Sequence, residues 1–160
     1  MTEAAKSWLA LGVALAACFG AAAAGGLATS RSVGTWYLTL HKPTWTPPSW
    51  LFGPVWTLLY AMMAVAAWLV WRKAGSSART AALALFGVQL LLNALWSGLF
   101  FGLRNPGAAF ADIVLLWLAL SGTVAVFFRV TAWAGWLLVP YFLWTTFAAV
   151  LNFSIWRLNA

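Results

Sequence analysis

"HKPTWTPPSWLFGPVWTLLY", residues 41–60, sets three tryptophans and four prolines at the entrance of an apolar run. Proline has no backbone donor and spoils helices. Tryptophan is bulky, and its indole N–H needs a partner once buried. Both demands are met if residues 41–49 form a stiff extended cap leading into a helix. Pro43, Pro47 and Pro48 remove donors and fix the backbone. Pro54 then falls in the first turns of the helix, where a missing donor costs least. Trp45 and Trp50 are expected to hold the cap at a membrane surface, and Trp56 to turn inward.

The rest of the chain supports a membrane reading. Of 160 residues, 64% are hydrophobic and 7% are charged, a balance foreign to soluble domains of this size. The net charge of +7 comes from nine Lys and Arg residues set singly between apolar runs. That pattern marks membrane-flanking anchors rather than a nucleic-acid surface, so no nucleic-acid partner is expected. The lone Cys18 excludes an internal disulfide and reads as a small buried hydrophobe.

Breaks at polar, Gly and Pro clusters leave five apolar segments, near residues 7–28, 50–71, 80–103, 107–128 and 134–156. A bilayer span needs about 20 residues, which the first segment supplies, so it reads as a span and not a cleaved signal peptide. In hydrocarbon each segment must be helical, because its backbone groups find partners only within it. The expectation is a single-domain, all-α bundle of five transmembrane helices covering residues 1–160, with a long first loop over 29–49. The other connections are short and predict antiparallel neighbours. Positive charge is nearly balanced: Lys6, Arg72, Lys73, Arg79 and Arg129 on one side, Arg31, Lys42, Arg104 and Arg157 on the other. Topology is therefore left open. Gly12, Ala16, Gly20, Ala24 and Ala28 form a small-residue stripe on the first helix. It suits either close packing within the bundle or a homodimer seam.

The unusual side chains converge in the half of the bilayer beneath the long loop. A rise of about 1.5 Å per residue puts Asn152 at about 6 Å, Asp112 at about 8 Å, Trp56 at about 9 Å, Trp96 at about 10 Å, Asn93 at about 15 Å and Trp144 at about 18 Å from that surface. Helical spacing gives Trp56, Tyr60 and Met63 one face. It does the same for Gln89, Asn93, Trp96 and Phe100, and for Tyr141, Trp144, Ala148 and Asn152. Polar residues within a membrane usually face the bundle interior, so these faces predict an aromatic pocket with a few polar groups. Asp112 reads as a structural group or as part of a proton relay. Trp8, Trp36, Trp45, Trp50, Trp71, Trp133, Trp136 and Trp156 lie near helix ends and read as an aromatic belt.

With one histidine, His41, and two acids, Glu3 and Asp112, neither a His-cluster metal site nor a catalytic triad nor paired-carboxylate catalysis is available. No metal and no cofactor are expected. His41 and Lys42 are either interfacial side chains or face an anionic ligand group. A ligand arriving from lipid gains little from apolar burial. Shape, ring stacking and a few hydrogen bonds must select it. A flat, largely apolar polycycle with a polar edge fits best.

The stretches "WYLTLHKPTWTPPSWLFGPVWTLLY", "QLLLNALWSGLFFG" and "VPYFLWTTFAAVLNFSIWRLN" are similar to the TspO/translocator protein family, also called peripheral-type benzodiazepine receptors or tryptophan-rich sensory proteins. The resemblance covers nearly the whole chain. It implies a five-helix membrane bundle, often dimeric, with a ligand cavity under the first loop. It implies porphyrins such as protoporphyrin IX as ligands, with sterols and benzodiazepine-type drugs as further candidates. Carried over by motif, the pocket residues are Tyr37, Pro47, Trp56, Asn93, Trp96, Trp144 and Ala148. The family's proposed light-dependent degradation of protoporphyrin would involve Trp56 and Trp144, making the porphyrin a substrate. Its cholesterol-recognition pattern is incomplete here. Val150, Phe153 and Arg157 hold the places, and the tyrosine hydroxyl is missing. A ligand-tuned regulatory or sensory partner is the third reading.

Overall fold

The computed structural model describes residues 1–160, the side chain of Ser76 excepted. Among the described residues the order is α1 (Glu3–Ser30), α2 (Trp36–Thr39), α3 (Ser49–Lys73), α4 (Ser76–Ser97) running on into a π-helical turn (Gly98–Gly102), α5 (Pro106–Val130) and α6 (Ala132–Leu158). Five of these helices are long and apolar enough to cross a membrane, and α2 is a single turn within the first loop. The all-α, five-span architecture is therefore the one expected from the sequence.

Local chemistry sets the helix ends. Thr2 caps α1 by accepting from the Ala5 N–H at 3.2 Å. Asn105 caps α5 by accepting from Ala108 at 3.0 Å, and Pro106 follows it, where its missing donor is harmless. Arg72 and Lys73, Arg129 and Arg157 sit in the last turns of α3, α5 and α6, against the negative ends of the helix dipoles. Pro54 falls in the first turns of α3, as expected, but its missing donor is not free of cost. With α3 starting at Ser49, it lies beyond the first turn and leaves the Trp50 carbonyl without its helical donor. The Thr57 hydroxyl donates back to the Gly53 carbonyl at 2.9 Å in the same stretch.

The spans form a ring in the order α1, α3, α6, α5, α4 and back to α1. The antiparallel-neighbour expectation holds well for α4 with α5 and for α5 with α6. Although α3 and α4 are joined by Ala74 and Gly75 alone, they touch only lightly. A short connection fixes adjacency at one end only. At the other end, the space between the first turns of α3 and the last turns of α4 is the cavity described below.

Small residues govern the close approaches. A Cβ on Gly25 of α1 would lie 2.9 Å from Ser97 Oγ of α4, and one on Gly107 of α5 would lie 2.9 Å from Trp156 Nε1 of α6. A Cβ on Gly135 would lie 2.3 Å from the Phe128 ring across the α5–α6 turn. The stripe of α1 behaves differently. Gly12, Ala16, Gly20 and Ala24 are exposed, with nothing within 4 Å of a Cβ built on Gly12 or Gly20. These four are turned out of the bundle, whereas Ala28, the last of the stripe, is half-buried and faces Gly102, where an added Cβ would lie 3.9 Å from it.

The tryptophans divide more finely than the belt reading allowed. Trp8, Trp50, Trp133 and Trp136 are exposed near helix ends, as a belt requires. Trp36 instead packs edge-on against Phe100 at 5.8 Å, and Trp156 stacks on Phe110 at 5.7 Å. Trp68 fastens the start of α1 to the end of α3. Its indole N–H donates to the Ser7 carbonyl at 3.0 Å, and its ring stacks on Trp8.

Gly135→Ala forces the Phe128 ring to move and should cost about 1–3 kcal/mol. It is expected to lower the unfolding temperature in detergent, whereas Gly87→Ala, with nothing within 4 Å of the added Cβ, does not.

Candidate functional site

Four spans and the first loop enclose a cavity of about 380 Å³, within the range of small-molecule sites. Trp56 comes from α3, Trp96 from α4 and Trp144 from α6, so flat indole faces approach from three helices. Tyr37 closes the cavity from α2, and Ala148 supplies a small patch on α6. Six of the seven pocket residues named from the sequence, Tyr37, Trp56, Asn93, Trp96, Trp144 and Ala148, line this one space. Pro47 is not among the lining residues. It lies in the loop just ahead of α3, where it shapes the chain's approach to the helix. Val150, Phe153 and Arg157 are exposed on the outer side of α6, away from the cavity.

The wall is apolar apart from a few oriented groups. Tyr60 Oη donates a short hydrogen bond to Asn93 Oδ1. Asn93 Nδ2 donates to Tyr141 Oη at 3.0 Å, and Tyr141 Oη donates to Gln89 Oε1 at 2.9 Å. Trp96 Nε1 donates to Asn152 Oδ1 at 2.8 Å, and Asn152 Nδ2 donates to the Pro106 carbonyl at 2.8 Å, tying α4, α6 and the start of α5 together. The Trp144 indole N–H is buried and has no hydrogen-bond partner among the described residues. Unlike the engaged Trp96 indole, it is a buried donor left without an acceptor. Asp112 is buried in α5 but outside the cavity, and its Oδ2 has no partner among the described residues. Trp117 of α5 donates to Thr146 Oγ1 of α6 and does not line the cavity.

The loop is a fastened lid. Ser32 Oγ donates to the Phe101 carbonyl of the π-helical turn at 2.7 Å, and Tyr37 packs against Phe100 and Phe101. Trp96 stacks on Phe100 at 5.4 Å, so the π-helical turn joins the lid to the cavity wall. Helical turns of this kind are frequent at functional sites. The expected continuous extension over 41–49 is broken by a turn, in which Thr46 N and Oγ1 both donate to the Pro43 carbonyl at 3.1 and 2.7 Å. Pro48 is extended, with φ −62° and ψ 143°. Trp45 meets Phe147 of α6 edge-on at 5.8 Å.

Lys42 faces the lid itself. Its ammonium donates to the Tyr37 and Leu40 carbonyls at 2.7 and 3.1 Å and lies 4.7 Å from the centre of the Tyr37 ring. Burial pushes the Tyr37 phenol above its ordinary range, which keeps it neutral beneath that cation. His41 is held through its backbone. Its N–H donates to Asn159 Oδ1 at 2.9 Å, and its carbonyl accepts from Asn159 Nδ2 at 2.8 Å. Asn159 thus clasps the lid to the end of α6, a role with no signature in the sequence. The contribution of α1 was legible but unread. Phe19, Ala22, Gly26 and Thr29 line the cavity at spacings of three and four residues, on a face apart from the small-residue stripe. Phe19, Gly26, Gly53 and Thr57 are also exposed, so the rim opens sideways between α1 and α3.

The chain is similar to known proteins over most of its length. The TspO/MBR family model matches residues 13–157. The chain is 42% identical to a tryptophan-rich protein TspO from Chlorobaculum tepidum, over 96% of this chain and 98% of the relative. It is 42% identical to a tryptophan-rich sensory protein from Cereibacter sphaeroides, over 91% and 88%. It is 40% identical to a human translocator protein, over 78% and 75%.

Asn159→Ala removes both bonds to His41. Amide hydrogen exchange over residues 41–46 is expected to speed up by about tenfold, the worth of one or two hydrogen bonds, while exchange in the middle of α3 stays unchanged.

Proposed function

The chain belongs to the TspO/MBR family of integral, multi-pass membrane proteins, and from that premise we propose that it is a receptor for flat tetrapyrroles of the protoporphyrin IX type. The observation that carries this reading is the set of three tryptophans, Trp56, Trp96 and Trp144, approaching one cavity from three helices. Stacking on several flat faces favours an extended aromatic ring over a flexible chain. The Asn93 amide gives one N–H to Tyr141 and has a second for a polar edge. The sideways opening suits a ligand that reaches the site from the bilayer. A sterol is less favoured, since Val150, Phe153 and Arg157 face outward and lack the hydroxyl of the recognition pattern.

The test is a titration of purified protein with protoporphyrin IX in the dark, followed by illumination. Trp56→Leu combined with Trp144→Leu should weaken binding by about tenfold or more, at about 0.5–1.5 kcal/mol for each lost aromatic contact. Unchanged affinity in that double variant would sink the reading. A bilin-like product formed in light by the parent and lost in Trp144→Phe, with binding retained, would make the protein a porphyrin-degrading enzyme.

We also propose a second copy of the chain as the partner of the outward stripe of α1. Small residues let helices approach closely in lipid, and Gly12, Ala16, Gly20 and Ala24 have no such use inside the bundle. Gly20→Leu should shift the particle mass in detergent from dimer to monomer, and a dimeric variant would refute the seam.

A further inference from the structure

Gln89 lies one turn from Asn93 on α4, is fully buried, and is not among the residues that line the cavity. It nevertheless ends a hydrogen-bonded chain that begins at the cavity wall. The order is Tyr60, Asn93, Tyr141, Gln89, with each group donating to the next. Tyr60 and Asn93 line the cavity, whereas Tyr141 and Gln89 are at 0% exposure behind them. In this direction the Tyr60 proton is spent on Asn93, and the Tyr60 oxygen keeps a lone pair. Gln89 Nε2, at the blind end, has no partner among the described residues.

The chain contains no charge, and both of its amides carry a donor and an acceptor. Turning the two amides over reverses every bond. Gln89 Nε2 then donates to Tyr141, Tyr141 to Asn93 Oδ1, and Asn93 Nδ2 to Tyr60. The Tyr60 proton is released to donate elsewhere. The number of bonds is unchanged, and Gln89 exchanges an unpartnered N–H₂ for an unpartnered carbonyl.

We propose that Gln89, without touching the ligand, is a specificity-determining residue that lets this chain run in either direction. In one direction Tyr60 accepts from a ligand N–H or O–H. In the other it donates to a ligand carbonyl or ring nitrogen. The inference rests on the cavity being the ligand site. It sharpens that reading to ligands with donors, acceptors or both at the edge that meets Tyr60. Gln89 is a positioning residue here, since it acts through Tyr141 and Asn93.

The test uses two flat tricyclic probes of similar size, fluorenone, which only accepts, and carbazole, which donates. The comparison is made in a Thr145→Val background, which removes the neighbouring hydroxyl as an alternative acceptor. Without the Gln89 amide, the Tyr141 proton then turns to Asn93 Oδ1. That turns the chain so that Tyr60 donates to the cavity. Gln89→Met should therefore shift the ratio of the two affinities toward fluorenone by about three- to tenfold, the worth of one hydrogen bond. The shift should vanish in a Tyr60→Phe background, where the chain has no hydroxyl to present. An unchanged ratio in Gln89→Met, or the same shift persisting in Tyr60→Phe, overturns the proposal. If neither probe binds the parent protein, the ligand-site reading itself fails. A second measurement needs no variant. In the ¹⁵N-labelled parent, the Gln89 side-chain amide signals should move differently with fluorenone and with carbazole, although Gln89 touches neither. Identical responses to the two probes also overturn it.

Discussion

Asn93 joins three helices through one side chain. Its carbonyl takes the Tyr60 proton from α3, and its amide donates to Tyr141 on α6. In hydrocarbon there is no water to replace either partner, so a polar group without one carries its full desolvation cost. The separation of α3, α4 and α6 at that depth is therefore set by two hydrogen bonds. Between that crossbrace and the lid, the helices enclose a space that their own side chains do not fill. The cavity is what remains once the polar groups have been satisfied.

The lid works by a related constraint. A loop over a cavity must find partners for its own backbone and be fastened to the wall, and here three side chains do both. The Lys42 ammonium bonds to loop carbonyls, Ser32 reaches the π-helical turn, and Asn159 pairs with the His41 backbone. The π-helical turn is the hinge between wall and lid. It carries Phe100 into the interior at 2% exposure, where Trp36, Tyr37 and Trp96 all pack on it. An aromatic cluster and a few backbone bonds do for the lid what the Asn93 crossbrace does for the helices.

Much of this was legible from residue spacing, because a membrane-spanning helix has few conformational choices. The faces through Trp56, Asn93 and Trp144 could be drawn before any coordinates, and all three meet in the cavity. The unread parts depend on contacts rather than on period. The π-helical turn leaves no mark in "GLFFG" beyond its two glycines. Asn159 is an ordinary polar residue near a helix end until the lid folds onto it. Pro47 shares a proline pair with Pro48, and neither lines the cavity, since the pair shapes the entry to α3 instead. Trp36 has the sequence position of a belt residue, yet α2 sets it half-buried against Phe100. The light contact between α3 and α4 runs against the rule that a short connection makes close neighbours. That rule speaks for the connected end alone.

The pairing of His41 with Asn159 spans 118 residues of sequence. During synthesis and insertion, α1, α3, α4 and α5 enter the membrane while the partner of His41 has yet to emerge. The lid is thus latched by one of the last events of assembly, after the wall it covers has been built. Until α6 is in place, Tyr60 and Asn93 lack Tyr141, Trp96 lacks Asn152, and the loop lacks its clasp. Closure of the cavity from above and completion of its crossbrace both wait for the same helix, so the nascent protein has no intermediate with a finished pocket.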